Sequence, residues 1–366
     1  MSTQRIRRLA EAGRLAGMDA IVLMPGANLF YLTGLTIHMS ERLSLAILPT
    51  DGRPLRMLLP ALEQPRAEAE YRGGVPIEWF PWSDADGPRL VTKRAAAGFI
   101  GRTLGVEYTA MRVMELRALE EAAGVHVVDA TDTLAGLRMH KDADELAAMR
   151  EAVRIVESGL RVAIESIKPG MTERQIAAIW EEAMADEGSE GPSFATIVAS
   201  GPNSANPHHT TGDRSIAEGD LVILDGGARF KGYCSDITRT VAVAHLDERL
   251  REVYEAVRAA NEAGFRASRP GATGAEIDRA ARGVIEEAEL GQFFIHRTGH
   301  GLGMEIHEPP YITSTAAMPL SSGMTFTVEP GVYLAGRGGV RIEDDVVLTA
   351  DGAERLTTLD RKLLIV

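Results

Sequence analysis

The chain has 366 residues, enough for about two domains at roughly 150 residues each. It carries 52 acidic against 39 basic side chains, a net charge of −13, which argues against a nucleic-acid or anionic-membrane binder, because neutralising phosphates needs clustered Lys and Arg. The composition, 45% apolar and 25% charged, supports a sizeable core, and the single cysteine, Cys234, excludes an internal disulfide and a cysteine-based zinc site.

The N-terminus runs straight into a charged amphipathic pattern with no apolar signal core, and no apolar run is long enough for a membrane span, so a soluble cytosolic protein is expected. Strand and helix signals then alternate. Ala20 to Met24 is an apolar run closed by Pro25-Gly26; Leu45 to Leu48 and Leu55 to Leu59 flank a turn built on Asp51-Gly52; a helical stretch from Met111 to Ala123 precedes a strand-like Val125 to Val128. These signals predict a small α/β domain over residues 1–135. The texture changes between Leu137 and Asp142, where a second domain, 136–366, opens on a long helix with Leu146, Met149, Val153, Val156 and Leu160 at three- and four-residue steps.

The second domain contains an internal echo. The stretch Lys168-Pro169-Gly170-Met171-Thr172-Glu173-Arg174-Gln175-Ile176 returns 101 residues later as Arg269-Pro270-Gly271-Ala272-Thr273-Gly274-Ala275-Glu276-Ile277. Each copy follows a helix, turns at Pro-Gly, and offers a Thr-x-x-Gln/Glu capping box that starts another helix ahead of strands. A duplicated αβ half is expected, with a site where the halves meet.

Two predicted hairpins crowd four carboxylates. The apolar strand ending in Asp225-Gly226-Gly227 and the strand containing Cys234-Ser235-Asp236 flank Lys231-Gly232; a turn centred between Phe230 and Lys231 sets Asp225 directly opposite Asp236. A turn centred on Gly336 likewise sets Glu329 opposite Glu343. Opposed carboxylates about 5 Å apart repel by about 3 kcal/mol at an effective dielectric near 20, so each pair needs a proton or a cation. Five of the nine histidines fall in two short segments, one with His208 and His209, the other with His296, His300 and His307. The second is not the helical His-Glu-x-x-His signature, since glycines flank His300 and the next histidine lies seven residues on. Those glycines are expected to let backbone and substrate approach His300. Four carboxylates and an imidazole suit two divalent ions of the manganese or cobalt kind, with zinc as a further candidate, and hydrolysis is the reaction class such a pair supports.

With these residues in place, the whole chain resembles the "pita-bread" metallopeptidases, the family of methionine aminopeptidase, aminopeptidase P, prolidase and creatinase. Asn28-Leu29-Phe30-Tyr31-Leu32-Thr33-Gly34 matches a recurring stretch of the creatinase-type N-terminal domain, which favours the proline-specific branch. The resemblance implies an α/β N-terminal domain followed by an α+β duplicated catalytic domain with pseudo-twofold symmetry. It implies metal ligands at Asp225, Asp236, His300, Glu329 and Glu343, with Asp236 and Glu343 bridging. An activated water would attack the carbonyl preceding proline, Glu329 would assist proton transfer, and His208 and His307 would bind the carbonyl oxygen. His296 would orient or act directly, and His209 would be structural or solvent-facing. Phe194, Ile197 and Ile306 would wall a proline pocket, and Cys234, on the same side of its strand as Asp236, reads as a buried structural thiol.

Hydrolysis of the bond before proline in short Xaa-Pro peptides, by an aminopeptidase or a dipeptidase, is thus the expected activity. A dipeptidase needs a cation for the free substrate carboxylate, yet Tyr311 to Val328 has no Arg or Lys, so Arg42 (in trans from a homodimer partner) and Arg341 are the candidate clamps. The rival readings are a creatinase-like C–N hydrolase or lyase on the same fold, and a non-catalytic relative that binds metal or peptide.

Overall fold

Apolar runs too short for a helix become central strands when both faces are covered. In the computed structural model, which describes residues 2–366, the three early runs form β1 (Ala20–Leu23), β2 (Leu45–Pro49) and β3 (Leu55–Pro60), with nearly every residue buried. With β4 (Ile77–Trp82), β5 (Thr103–Val106) and β6 (His126–Asp129) they make one mixed sheet in the order β4-β3-β2-β1-β5-β6. Strand β1 runs antiparallel to β2 and parallel to β5. Six helices accompany it: α1 (Ser2–Leu15), α2 (Ala27–Thr33), α3 (Gln64–Glu70), α4 (Arg89–Ala95), α5 (Val113–Ala123) and α6 (Thr131–Arg138). Asn28 to Gly34 is thereby α2 and its cap: Gly34 takes φ 74° and donates its N–H to Phe30 O at 2.7 Å, a left-handed close that glycine adopts without a Cβ penalty.

This unit spans Met1–Arg138; the second is Met139–Val366. The second opens on α7 (Ala143–Ser166), whose N-cap Asp142 accepts from the N–H groups of Asp144 and Glu145 while Glu145 reaches back to Asp142 N at 2.8 Å. Then come α8 (Glu173–Asp186), β7 (Ile197–Ser200), β8 (Leu221–Gly226), the short β9 (Arg229–Phe230) and β10 (Tyr233–Cys234), and β11 (Ile237–Ala242). The succession repeats as α9 (Glu248–Ala267), α10 (Gly274–Glu287), β12 (Gly299–Gly301), β13 (Glu308–Ile312), β14 (Thr325–Val328), β15 (Gly331–Leu334), β16 (Gly338–Arg341), β17 (Asp344–Leu348) and β18 (Ala353–Arg355). Thr172 and Thr273 both cap their helices through complete capping boxes. Further bonds recur in both copies: Gly170 N donates to Ile216 O and Gly271 N to Leu320 O, each at 2.8 Å, while Arg174 N reaches Gly212 O and Ala275 N reaches Ala316 O. The echo is a duplicated αβ unit.

The first hairpin departs from the expected register. Its turn is Lys231-Gly232, with φ 50° and 79°, the left-handed pair favoured in two-residue hairpins. That moves the centre by one residue and the register by two, so Asp225 faces Thr238 and Gly226 faces Ile237; Asp236 stands diagonal to Asp225. Gly227 is required here, since a Cβ would come within 1.9 Å of Ser235 O. The second hairpin keeps its expected register: Thr325↔Val347 and Gly331↔Arg341 lie on either side of Glu329 and Glu343, which stand opposite each other between them. An antiparallel bridge from Thr238 to Glu343 joins the two hairpins.

The glycine at 227 gives a stability test. Gly227→Ala is expected to cost about 1–3 kcal/mol by overpacking, read as a lower denaturant midpoint at unchanged slope.

Candidate metal centre

The two hairpins and β12 aim their polar side chains into one cavity of about 430 Å³ lined by residues of the second unit alone. Asp225, Asp236, His300, Glu329 and Glu343 all line it, as do His208, His296, His307, Arg297, Arg341, Phe194, Ile197, Pro207 and Ile306. His300 Nε2 lies 3.6 Å from Asp236 Oδ2 and 3.4 Å from Glu329 Oε1. One ligand atom each from Asp236, His300 and Glu343 falls within 4.8 Å of the others.

Surrounding groups hold three of the four acids by one oxygen. Arg341 donates to Asp225 Oδ2 at 2.5 Å, Thr238 Oγ1 to Glu343 Oε2 at 2.6 Å, and Thr327 Oγ1 to Glu329 Oε1 at 3.2 Å. The backbone of Asp236 is fixed by Asp345, which accepts its N–H at 3.0 Å. Asp225 Oδ1, Asp236 Oδ1 and Glu343 Oε1 are buried with no hydrogen-bond partner. Orphaned buried carboxylate oxygens are costly, and three of them on residues that line one cavity with an imidazole match the donor set of a divalent-cation site. His300 Nδ1 lies 3.1 Å from Gly301 O, so the proton sits there and Nε2 keeps its lone pair for a cation. The residues fit the metal that the donor set implies.

Electrostatics agree. Burial, then Glu343 and Asp225, push the Asp236 carboxyl well above the carboxylate range; burial, then Glu329 and Asp225, do the same to Glu343. Burial raises Glu329 to about 7 and lowers His300 to about 3. His307 is held below the ordinary histidine value, first by its removal from water and then by the Arg297 guanidinium.

The remaining expected residues separate. Phe194, Ile197 and Ile306 form an apolar wall, Ile197 pairing with Asp225 across β7 and β8. His296 has both nitrogens engaged, Nδ1 with Arg297 O at 2.7 Å and Nε2 with Tyr333 OH at 2.8 Å. The close approach allowed by Gly299 and Gly301 is that of neighbouring protein backbone, Thr327 O and Glu308 O. Cys234 is buried, does not line the cavity, and has its thiol pushed up by burial. Arg341 does not serve as a free clamp: its guanidinium is committed to Thr238 Oγ1, Tyr333 OH and Asp225. Arg42 does not line the cavity; on its own unit it pairs with Asp84 at 2.9 Å and Glu41 at 3.0 Å.

Sequence reading missed three groups. Thr238 bridges the acidic pairs, a consequence of the shifted register. Glu173 is fully buried and receives His209 Nε2 at 2.8 Å, which makes His209 structural. Arg297 lines the cavity, lies over the Tyr311 ring at 5.0 Å, and has no acidic or hydrogen-bonding partner for its guanidinium among the described residues. Its place one residue after His296 was the available signal.

Comparison with known proteins agrees with this geometry. The model of metallopeptidase family M24 matches residues 147–350, and that of the creatinase/prolidase N-terminal domain matches 5–140. The chain belongs to metallopeptidase family M24. It is 38% identical over 364 residues to the probable dipeptidase PepE of Mycobacterium tuberculosis, covering 99% of this chain and 96% of that protein. Among solved structures it resembles a prolidase from Thermococcus sibiricus (TM-score 0.94, 38% identity, 100% and 99% of the two chains). It also resembles an X-Pro aminopeptidase from Thermotoga maritima (TM-score 0.87, 33% identity, 99% of each chain). No helix among the described residues is long and apolar enough to cross a membrane.

Metal and proton compete for these acids. Because Glu329 is raised from 4.5 to about 7, the folded metal-free protein holds a proton that the unfolded chain has released, and its stability falls as pH rises across that window. A divalent cation displaces the proton, so the stabilisation given by metal grows over the same window. Thermal denaturation in chelator and in manganese at about pH 5 and about pH 7.5 should show the gap between the two curves widening with pH; a gap independent of pH would contradict the site.

Proposed function

We propose that this chain hydrolyses the peptide bond preceding proline in short Xaa-Pro peptides. Two divalent cations, manganese or cobalt in preference to zinc, would be held by Asp225, Asp236, His300, Glu329 and Glu343. The observation that carries this reading is the convergence of three orphaned carboxylate oxygens on a cavity that also presents His208 and His307. Bound cations of this kind lower the pKa of water from 15.7 to about 7 and polarise a carbonyl.

The chain's own residues supply the rest. His307, neutral near pH 7, offers an N–H to the substrate carbonyl oxygen, and His208 on the opposite loop offers a second, so charge developing on that oxygen meets fixed donors. Glu329, lining the cavity, takes a proton from the attacking water and delivers it to the departing proline nitrogen. Phe194, Ile197 and Ile306 pack the proline ring, whose methylenes gain on the order of 2 kcal/mol on burial. A homodimer belongs to the same reading.

Arg297 favours the dipeptidase form. An unpaired guanidinium in a substrate cavity is suited to a free carboxylate, and Tyr311 beneath it keeps its plane oriented.

Asp236→Ala and Glu343→Ala should abolish hydrolysis and reduce bound metal, whereas His208→Ala should keep metal and lose turnover; equal activity of all three with wild type would overturn the reading. Arg297→Ala should raise KM about tenfold or more for Xaa-Pro while leaving Xaa-Pro-amide within about twofold. An equal effect on both would assign Arg297 no part in carboxylate recognition and favour an aminopeptidase.

A further inference from the structure

His208 stands on the loop between Ser200 and Gly212, exposed, and its imidazole has no hydrogen-bond partner among the described residues. Its own backbone N–H bonds only to Asn206 Oδ1, inside the same loop. The aim of the ring is therefore set by whatever fixes the loop.

Gly339 N donates to Ser204 Oγ at 2.8 Å and Arg341 Nη1 to Pro207 O at 3.5 Å, but the group that accepts five bonds from this segment is Glu173, the first residue of α8. Its Oε1 accepts from Ser200 N at 2.8 Å, Ser200 Oγ at 2.8 Å and Asn203 Nδ2 at 2.9 Å. Its Oε2 accepts from His209 Nε2 at 2.8 Å and Gly212 N at 3.2 Å. One carboxylate thus ties the start of the loop, its end, and the residue adjoining His208. Burial alone would raise the Glu173 carboxyl, but the bonds from Asn203, His209 and Ser200 outweigh it and hold the group below its ordinary value, so it is ionised in the neutral range.

The duplication shows that the helix start does not require this residue. The equivalent of Glu173 in the second copy is Gly274, where α10 begins on its Thr273 capping box alone. There a Cβ would lie 2.5 Å from Tyr311 O, so the second copy brings backbone directly against the helix start. At this first helical position a buried carboxylate, costly in itself, stands only in the copy whose loop carries His208, whereas α10 buries its own acid, Asp278, four residues further on against Thr298.

We infer that Glu173 is a positioning residue for catalysis, a latch that holds the Ser200–Gly212 loop through His209 and so aims His208 at the substrate carbonyl. This rests on the role given to His208 above. Glutamine at 173 keeps the shape but turns an amide NH₂ towards groups that are themselves donors.

A double-mutant cycle separates aiming from general stability. Glu173→Gln should lower kcat on Xaa-Pro substrate about tenfold or more, with KM within about twofold and metal content unchanged, and in a His208→Ala background the same change should alter kcat by less than about twofold. His209→Ala, which removes one of the five donors and spares the carboxylate, should show a smaller loss of kcat that likewise vanishes in His208→Ala; it carries the test if Glu173→Gln does not fold. Losses that multiply in the double variants, or wild-type kcat in both single variants, overturn the latch. Wild-type kcat in His208→Ala alone sinks the role of His208 first, and the latch with it.

Discussion

Like charges buried together govern this molecule. Asp225, Asp236 and Glu343 are each less than 10% exposed, and with Glu329 they share one cavity. Left to themselves the acids must take up protons, as the raised carboxyls of Asp236, Glu329 and Glu343 record. Every nearby device limits that repulsion without removing it: Arg341 neutralises Asp225 on one oxygen, Thr238 and Thr327 each donate to an acid, and one oxygen on each of three acids stays unpartnered. A cation set is the counter-charge that completes the arrangement.

The fold serves this constraint through duplication. Two αβ halves built on matching Pro-Gly turns and threonine caps place a hairpin each beside the other, and the Thr238–Glu343 bridge joins them at the centre. The halves diverge where chemistry differs. Glu173 in one corresponds to Gly274 in the other, so the loop with His208 is tied by a side chain while the neighbourhood of Tyr311 is held by backbone contact.

Much of this was legible in the residues. Periodicity marks α7, the echo marks the duplication, and the carboxylate spacing marks the ligand candidates. The second hairpin register followed from the position of Gly336. The first did not, because placing its turn required knowing that Lys231 takes a positive φ, which non-glycine residues adopt rarely. Strand β5 escaped notice because four residues, one of them Gly105, carry too little pattern. Arg341 as a clamp failed for another reason: sequence shows a charge but not the partner that occupies it. Glu173 and Arg297 were hidden in the same way, one by partners up to 39 residues away, the other by making no hydrogen bond or ion pair among the described residues.

Metal stoichiometry tests the central claim most directly. Anomalous scattering from crystals grown with manganese should locate two ions per chain among Asp225, Asp236, His300, Glu329 and Glu343. Protein that is fully active while holding no ion there, or ions bound elsewhere with these acids left protonated, would contradict the account.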